Sequence, residues 1–412
     1  MSETYAQFIE NKRITLEIGW TQLANANSRL SFLLESLLDC EISHFYIDPI
    51  LGKSALLRCR IDGVVFPIAP ISLNEYSMLC ESLRARFLLS HSHNSLNEGI
   101  LENNGAYFWC GLLETLNGVS FSLQRRRGKS SPPLGWTPQA TDAWQKMQAK
   151  PNGLTIFCGR GWSSDSTVVR VLDSLAAQSG GASRFACVSE GLQNISLRDD
   201  VTSVCVDGAR KSWEQSLRNL VAQDFDVFAL SGRDEKEVLT QAVLTSLEDR
   251  RVLASVSFPN IIETLLWLVD GVDLNVRHMG QVLLGIIGDY SGLSRNCPAC
   301  FELEEINESQ KLFLKQHKIE ISECANFGRS RGCEQCQSTG FKGSRIHISE
   351  AIYIDGELAN FLTTKPHREE LEKALAERGW KSRLQQTIEY SMRGETTWNE
   401  AVRIGLSRRA DL

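Results

Sequence analysis

The chain has 412 residues, 42% of them hydrophobic and 23% charged, with a formal net charge of −6. That is chain enough for about two to four domains, and its acidic balance excludes a bulk nucleic-acid binder. No apolar run reaches the roughly 18 residues of a membrane span, since Ile261–Val269 and Val282–Ile287 are both too short.

The opening MSETYAQFIENKR has no apolar signal-peptide core, which predicts a cytoplasmic chain. Residues 1–126 read as a small α+β domain. Leu30–Leu38 and Asn74–Leu89 have helical patterning, His44–Ile47 and Leu56–Ile61 read as strands, and Gly105–Leu113 with Val119–Leu123 reads as a hairpin. Residues 127–135, rich in proline, small residues and charge, form a linker. Residues 136–296 then alternate strands (154–158, 184–188, 203–206, 226–230 and 252–258) with helical stretches such as Ser212–Val221 and Lys236–Leu247. That alternation predicts an α/β domain with a parallel sheet covered by helices on both faces. Residues 297–350 carry paired cysteines, and residues 351–412 read as helical, with Thr397-Trp-Asn-Glu400 a capping box.

Residues 158–167, CGRGWSSDST, follow an apolar strand and precede an apolar helix. This is the setting of a phosphate-binding loop, G-x-x-x-x-G-K-S/T. Gly159 stands at the first glycine, and Ser166 and Thr167 at the magnesium-binding hydroxyls, but Ser164 replaces the second glycine and Asp165 the lysine. An aspartate there removes an attraction to phosphate and adds a repulsion, each worth roughly 4 kcal/mol at 4 Å and an effective dielectric constant of 20. Read structurally, the same residues join a strand to a helix, with Ser163 or Ser164 as cap and Asp165 favoured by the helix's positive end.

Cys297-Pro-Ala-Cys300 and Cys333-Glu-Gln-Cys336, with 32 residues between the pairs, have the form of a structural zinc site. Four thiolates leave no open position, so a catalytic metal is not expected. The other eight cysteines, Cys40, Cys59, Cys80, Cys110, Cys158, Cys187, Cys205 and Cys324, read as free thiols.

Taken together, the motifs resemble the ATPases of type II secretion and type IV pilus assembly, from about Ile42 to the C-terminus. Ser43-His-Phe-Tyr-Ile-Asp-Pro49 with Arg58-x-Arg60-x-Asp62-Gly63 is similar to the family's "SDIHIEP…RxRxDG". Leu217-Arg-Asn-Leu-Val-Ala-Gln-Asp224-Phe-Asp226 is similar to "LRxxLRQDPD" before its Walker B strand. The cysteine pairs with Gly340-Phe-Lys-Gly343 and Glu350 resemble its zinc-bearing segment, and Gly394-x-Thr396-Thr397-x-x-Glu400-Ala-Val402 its C-terminal "GxTSxEEV". The resemblance implies a RecA-like P-loop NTPase-type domain after the small α+β domain, then the zinc-binding segment and the helical tail. It also implies ATP with magnesium as cofactor, a ring, usually hexameric, a platform protein of the inner membrane as partner with attachment at that membrane, and a domain–domain surface shaped by Arg58, Arg60 and Asp62.

The departures fall on catalytic positions. Besides Asp165, the Walker B ending reads Ser231-Gly232-Arg233-Asp234 without its glutamate. The acidic "VEDP" reads Val188-Ser189-Glu190-Gly191, "STLHTN" reads Ser255-Val-Ser-Phe258-Pro-Asn260, and the terminal Gln-Arg pair reads Asp289-Tyr290. "RxPQDG" reads Asn94-Ser-Leu-Asn-Glu-Gly99, without its basic residue. The expectation is a pseudo-ATPase, structural or regulatory in a pilus or secretion machine, joining a ring with an active paralogue or binding the platform protein. An active motor with an unorthodox site and a zinc-ribbon interaction module are the alternatives.

Overall fold

The structure, a computed structural model, describes residues 3–38, 42–50, 54–61, 64–93, 96–126, 135–159, 162–206, 212–270, 276–322, 325–336, 338–343 and 345–406. The chain forms two compact units, Met1–Ser131 with Glu190–Leu197, and Pro132–Ser189 with Arg198–Leu412.

In the first unit, helices α1 (Glu3–Thr21) and α2 (Ala26–Ser36) lead into β1 (Ile42–Ile50), β2 (Ser54–Ile61) and β3 (Val64–Ser72). They are followed by α3 (Leu73–Ala85), β4 (Leu89–His93), β5 (Leu96–Asn103), β6 (Ala106–Thr115) and β7 (Gly118–Arg126). The sheet runs β3-β2-β1-β7-β6-β5-β4, antiparallel throughout. Alternate residues of β2 (Ala55, Leu57, Cys59 and Ile61) point into a core that also takes Leu30, Leu33 and Leu34 of α2 and Leu79 and Leu83 of α3. Asn25 caps α2 by accepting from the Ser28 N–H at 2.8 Å, and Ser72 with Glu75 makes a full capping box on α3. Helix α1 and strands β3, β4 and β5 were not foreseen. Strand β3 contains Pro67 and Pro70, which read as breakers, but it is an edge strand and needs no N–H on its open side.

The second unit begins with α4 (Pro138–Gln148), β8 (Gly153–Cys158), α5 (Trp162–Ser179), β9 (Phe185–Ser189), β10 (Val201–Cys205), α6 (Trp213–Ala222) and β11 (Val227–Ser231). It continues through α7 (Glu235–Leu247), β12 (Arg251–Val256), α8 (Ile261–Asp270), α9 (Val276–Val282) and β13 (Leu283–Leu293). The cysteine segment adds β14 (Phe301–Leu303), α10 (Glu308–Gln316) and β15 (Gly328–Ser330). The chain then returns through β16 (Ile346–Tyr353) and ends in α11 (Gly356–Thr363), α12 (Arg368–Glu377), α13 (Arg383–Met392) and α14 (Trp398–Leu406).

The large sheet runs β10-β9-β11-β12-β8-β13-β16, parallel except for β16 at the edge. Strands β8, β9 and β11 are buried along their whole length, which is why they read as unbroken apolar runs. Leu154, Ile156 and Cys158 face a core shared with α6, α7 and α8. Phe157 faces the opposite core, shared with Ala140 and Met147 of α4 and Val168 and Leu172 of α5. Each of the five predicted strands of this region is present, displaced by at most two residues at either end. The last residues of the expected cysteine segment, from Ile346, are edge strand of this sheet. Of the expected box on α14, one half forms: the Glu400 N–H donates to Thr397 Oγ1 at 3.1 Å. The Glu400 carboxylate instead accepts from the Ser294 N–H at 3.2 Å and from Arg403.

Candidate functional site: the phosphate-loop region and the cysteine cluster

The carboxyl ends of the parallel strands are where an α/β sheet binds ligands. Strand β8 ends at Cys158 and passes through buried Gly159. Residues 160–161 lie outside the described residues, and α5 has begun by Trp162. Ser163 and Ser164 are therefore inside the first helical turn and not at its cap, a correction to the expectation from sequence. Ser166 is exposed, whereas Thr167 is buried and its hydroxyl donates to Asp289 Oδ2 at 2.7 Å.

Asp165, at the lysine position, lies in the first turn of α5. Its Oδ1 accepts from Ser231 Oγ at 2.8 Å, at the end of β11, and from Ser255 Oγ near the end of β12. Both serines are buried, and they stand on adjacent strands. The carboxylate thus bridges two strand ends and gains from the helix's positive end as well. Hydrogen bonds to a charged group contribute about 1.5–3 kcal/mol each. Ser231 and Ser255 were visible in the sequence only as members of altered motifs. That they meet one acid follows from strand order, which pattern alone does not give.

Other departures have structural work. Asp234 caps α7, accepting from the N–H groups of Lys236 and Glu237 at 3.1 and 3.2 Å. Phe258 packs on Trp267 with ring centroids 4.9 Å apart, and Asn260 Oδ1 accepts from the Glu263 N–H at 2.9 Å at the start of α8. Tyr290 is buried and donates to Glu350 Oε2 at 3.0 Å; burial pushes its hydroxyl well above the usual tyrosine range, and the Glu350 charge adds to this. In the first unit, Arg58 pairs with Asp48 at 2.6 Å and Arg60 Nε donates to Tyr46 Oη at 3.0 Å. Asp62 and Gly63, and Asn94 and Ser95 of the stretch Asn94–Gly99, lie outside the described residues.

The cysteines of the two pairs converge. The sulfurs of Cys297, Cys300, Cys333 and Cys336 all lie within 4.8 Å of one another, with 3.9 Å for Cys297–Cys333 and Cys300–Cys336 and 3.8 Å for Cys333–Cys336. A tetrahedral ion with metal–sulfur bonds near 2.3 Å sets its sulfurs about 3.8 Å apart, so the four thiols fit such an ion. Burial opposes ionisation of Cys336, but the N–H groups of Cys333 and Gly340 donate to its sulfur at 3.1 and 3.3 Å and hold its thiol down to about 6. Burial and contact with the other sulfurs push Cys300 up to about 11. Gly332 and Gly340 have φ of +103° and +77°, and a Cβ on either would meet a backbone oxygen at 2.7 or 2.6 Å. Tight knuckle turns of this kind need glycine there. Of the remaining cysteines, Cys59, Cys110, Cys158 and Cys187 are buried and Cys80 and Cys205 half-buried, all six outside any disulfide, while Cys40 and Cys324 lie outside the described residues.

A three-layer α/β unit with its loop at the strand ends, joined to a four-thiol knot, defines a class before it defines a member. The family described as Type II/IV secretion system protein matches residues 123–403. The chain belongs to that family. It is 21% identical over 383 residues to the type IV pilus assembly ATPase PilB of Thermus thermophilus, covering 88% of this chain and 41% of that protein. To the type II secretion system protein E of Klebsiella pneumoniae it is 24% identical over 282 residues, covering 66% of this chain and 52% of that one. The chain thus spans about half the length of the curated relatives it matches. Among solved structures, the pilus retraction motor PilT with bound ADP superposes with a TM-score of 0.59 at 15% identity, over 92% of this chain and 98% of that one. The Legionella pneumophila ATPase DotB gives 0.59 at 12% identity, over 91% and 94%. At these identities the superpositions establish a shared mixed α/β fold. Among the described residues, no helix is long and apolar enough to cross a membrane.

Proposed function

We propose that this chain is a pseudo-ATPase of a type IV pilus assembly or type II secretion machine, with a structural or regulatory role. Its second unit is RecA-like, with a phosphate loop that has become a structural joint. The observation that carries this reading is the Asp165 carboxylate, hydrogen-bonded to Ser231 and Ser255 where a motor presents a lysine to phosphate. A bound triphosphate would approach a negative charge where a motor has a lysine, with a cost approaching about 8 kcal/mol relative to lysine, or several powers of ten in affinity. Thr167, the residue after the magnesium position at Ser166, is committed to Asp289, and Asp234 to a helix cap.

The four cysteines hold structural zinc. When bound, the ion cross-links two segments with 32 residues between them. The partners are a ring, homo-oligomeric or shared with an active paralogue, and a platform protein of the inner membrane, which this chain meets from the cytoplasm. The test is phosphate release from magnesium-ATP by the zinc-loaded chain, alone and mixed with an intact relative. The expected result is no turnover by the chain alone. Turnover that disappears on Ser166→Ala or Thr167→Ala overturns the reading in favour of an active motor.

A further inference from the structure

Glu350 was named in the sequence only as a member of a motif, yet it is among the most buried acids of the second unit, with 1% of its surface exposed. Its Oε2 accepts from Tyr290 Oη at 3.0 Å, and its Oε1 accepts from the backbone N–H of Arg383. Arg383 is the first residue of α13. One carboxylate therefore serves a helix N-terminus and a tyrosine hydroxyl, and the Arg383 guanidinium lies 4.6 Å from the centre of the Tyr290 ring.

Connections run from this point in both directions. Next to Tyr290 is Asp289, which accepts from Thr167 in the first turns of α5 at 2.7 Å. At the other end of α13, the Met392 carbonyl accepts from the Asn326 N–H at 2.6 Å. Beyond it, the Gly394 and Glu395 carbonyls accept from the Asn296 side chain and backbone N–H at 2.9 and 2.8 Å. Arg295 pairs with Glu395. Asn296 precedes Cys297, whose own N–H donates to the Gly340 carbonyl at 2.9 Å. Gly394, at φ +70°, sits where a Cβ would meet the Phe301 ring at 2.8 Å, so this joint is closely packed.

We infer that Glu350 is a positioning residue that couples metal occupancy of the cysteine cluster, through α13, to the first turn of α5. The inference rests on the zinc reading above. Helix α13 is the element both sites bias: at its C-terminal end it is held by the segment leading to Cys297, and at its start by Glu350. With the metal in place the segment leading to Cys297 is anchored; with the metal gone that anchor is lost, and the hold on Glu350, Tyr290 and Asp289 relaxes. Coupling of this kind is reciprocal, so weakening the Glu350 end must also loosen the metal.

The experiment uses the full chain purified with zinc, as wild type, Glu350→Gln and the milder Tyr290→Phe. Zinc affinity is measured by competition with a chromogenic chelator, and hydrogen exchange of residues 164–170 is followed with metal bound and removed. In the variants, affinity is expected to fall about five- to fifty-fold. Exchange at 164–170 should rise on metal removal in wild type and change less in the variants. Unchanged affinity in a Tyr290→Phe chain of wild-type circular dichroism, or exchange in wild type indifferent to the metal, overturns the coupling. A wild-type chain that binds no stoichiometric zinc refutes the zinc reading itself, which is a separate outcome.

Discussion

At the cysteine cluster, four sulfurs from two distant segments stand at the separations a tetrahedral ion requires, with amide donors already aimed at one of them. At the phosphate loop of the same unit, the lysine position is an acid, and its bonds go to two serines of the protein itself. The contrast shows what each site must retain. On the zinc reading proposed above, a four-thiolate ion holds the two knuckles together, so loss of any one ligand loosens both. On the pseudo-ATPase reading, the loop can change residue by residue, provided each change finds another partner. Asp165, Asp234, Asn260 and Tyr290 have each found one.

The largest effect that bears on this contrast is expected at the metal. Structural zinc contributes about 10–16 kcal/mol apparent in small peptides, and Cys297→Ser should cost this chain on the order of several kcal/mol by thermal melting. Chelator should lower the wild-type midpoint in the same way and leave the variant's almost unchanged; a wild-type midpoint indifferent to chelator removes the metal from the comparison. Next comes Asp165→Lys. Reversing the charge should raise magnesium-ATP affinity about a hundredfold, a fraction of the roughly 8 kcal/mol that the full swing allows, as read with a fluorescent nucleotide. No gain would mean that loop shape, and not charge, closes the site. Asp165→Ala deletes two hydrogen bonds to a charged acceptor and should cost about 2–4 kcal/mol in urea unfolding. A neutral result would mean the carboxylate is not a joint. Smallest is Ser166→Ala: the side chain is exposed, and the expected stability change is within about 0.5 kcal/mol.

The strands of the second unit were legible because burial on both faces leaves continuous apolar runs such as Leu154–Cys158, and the cysteine pairs because knuckle spacing is local. In the first unit, β3 was hidden by Pro67 and Pro70, and β5, with Asn97, Glu98 and Gly99 in sequence, shows no clean alternation. The meeting of Asp165 with Ser231 and Ser255, and of Glu350 with Tyr290 and Arg383, was not legible. These contacts join residues 33 to 90 positions apart, brought together only by the order of strands and the placing of helices. The sequence did show that the usual partners had been replaced; what replaced them was a matter of tertiary structure.

The most direct measurement is isothermal titration of the zinc-loaded chain with magnesium-ATP. If the Asp165 carboxylate has taken the place of phosphate, no binding heat appears at millimolar nucleotide, and Asp165→Lys restores a measurable isotherm. Micromolar, magnesium-dependent binding by the wild-type chain would contradict the account.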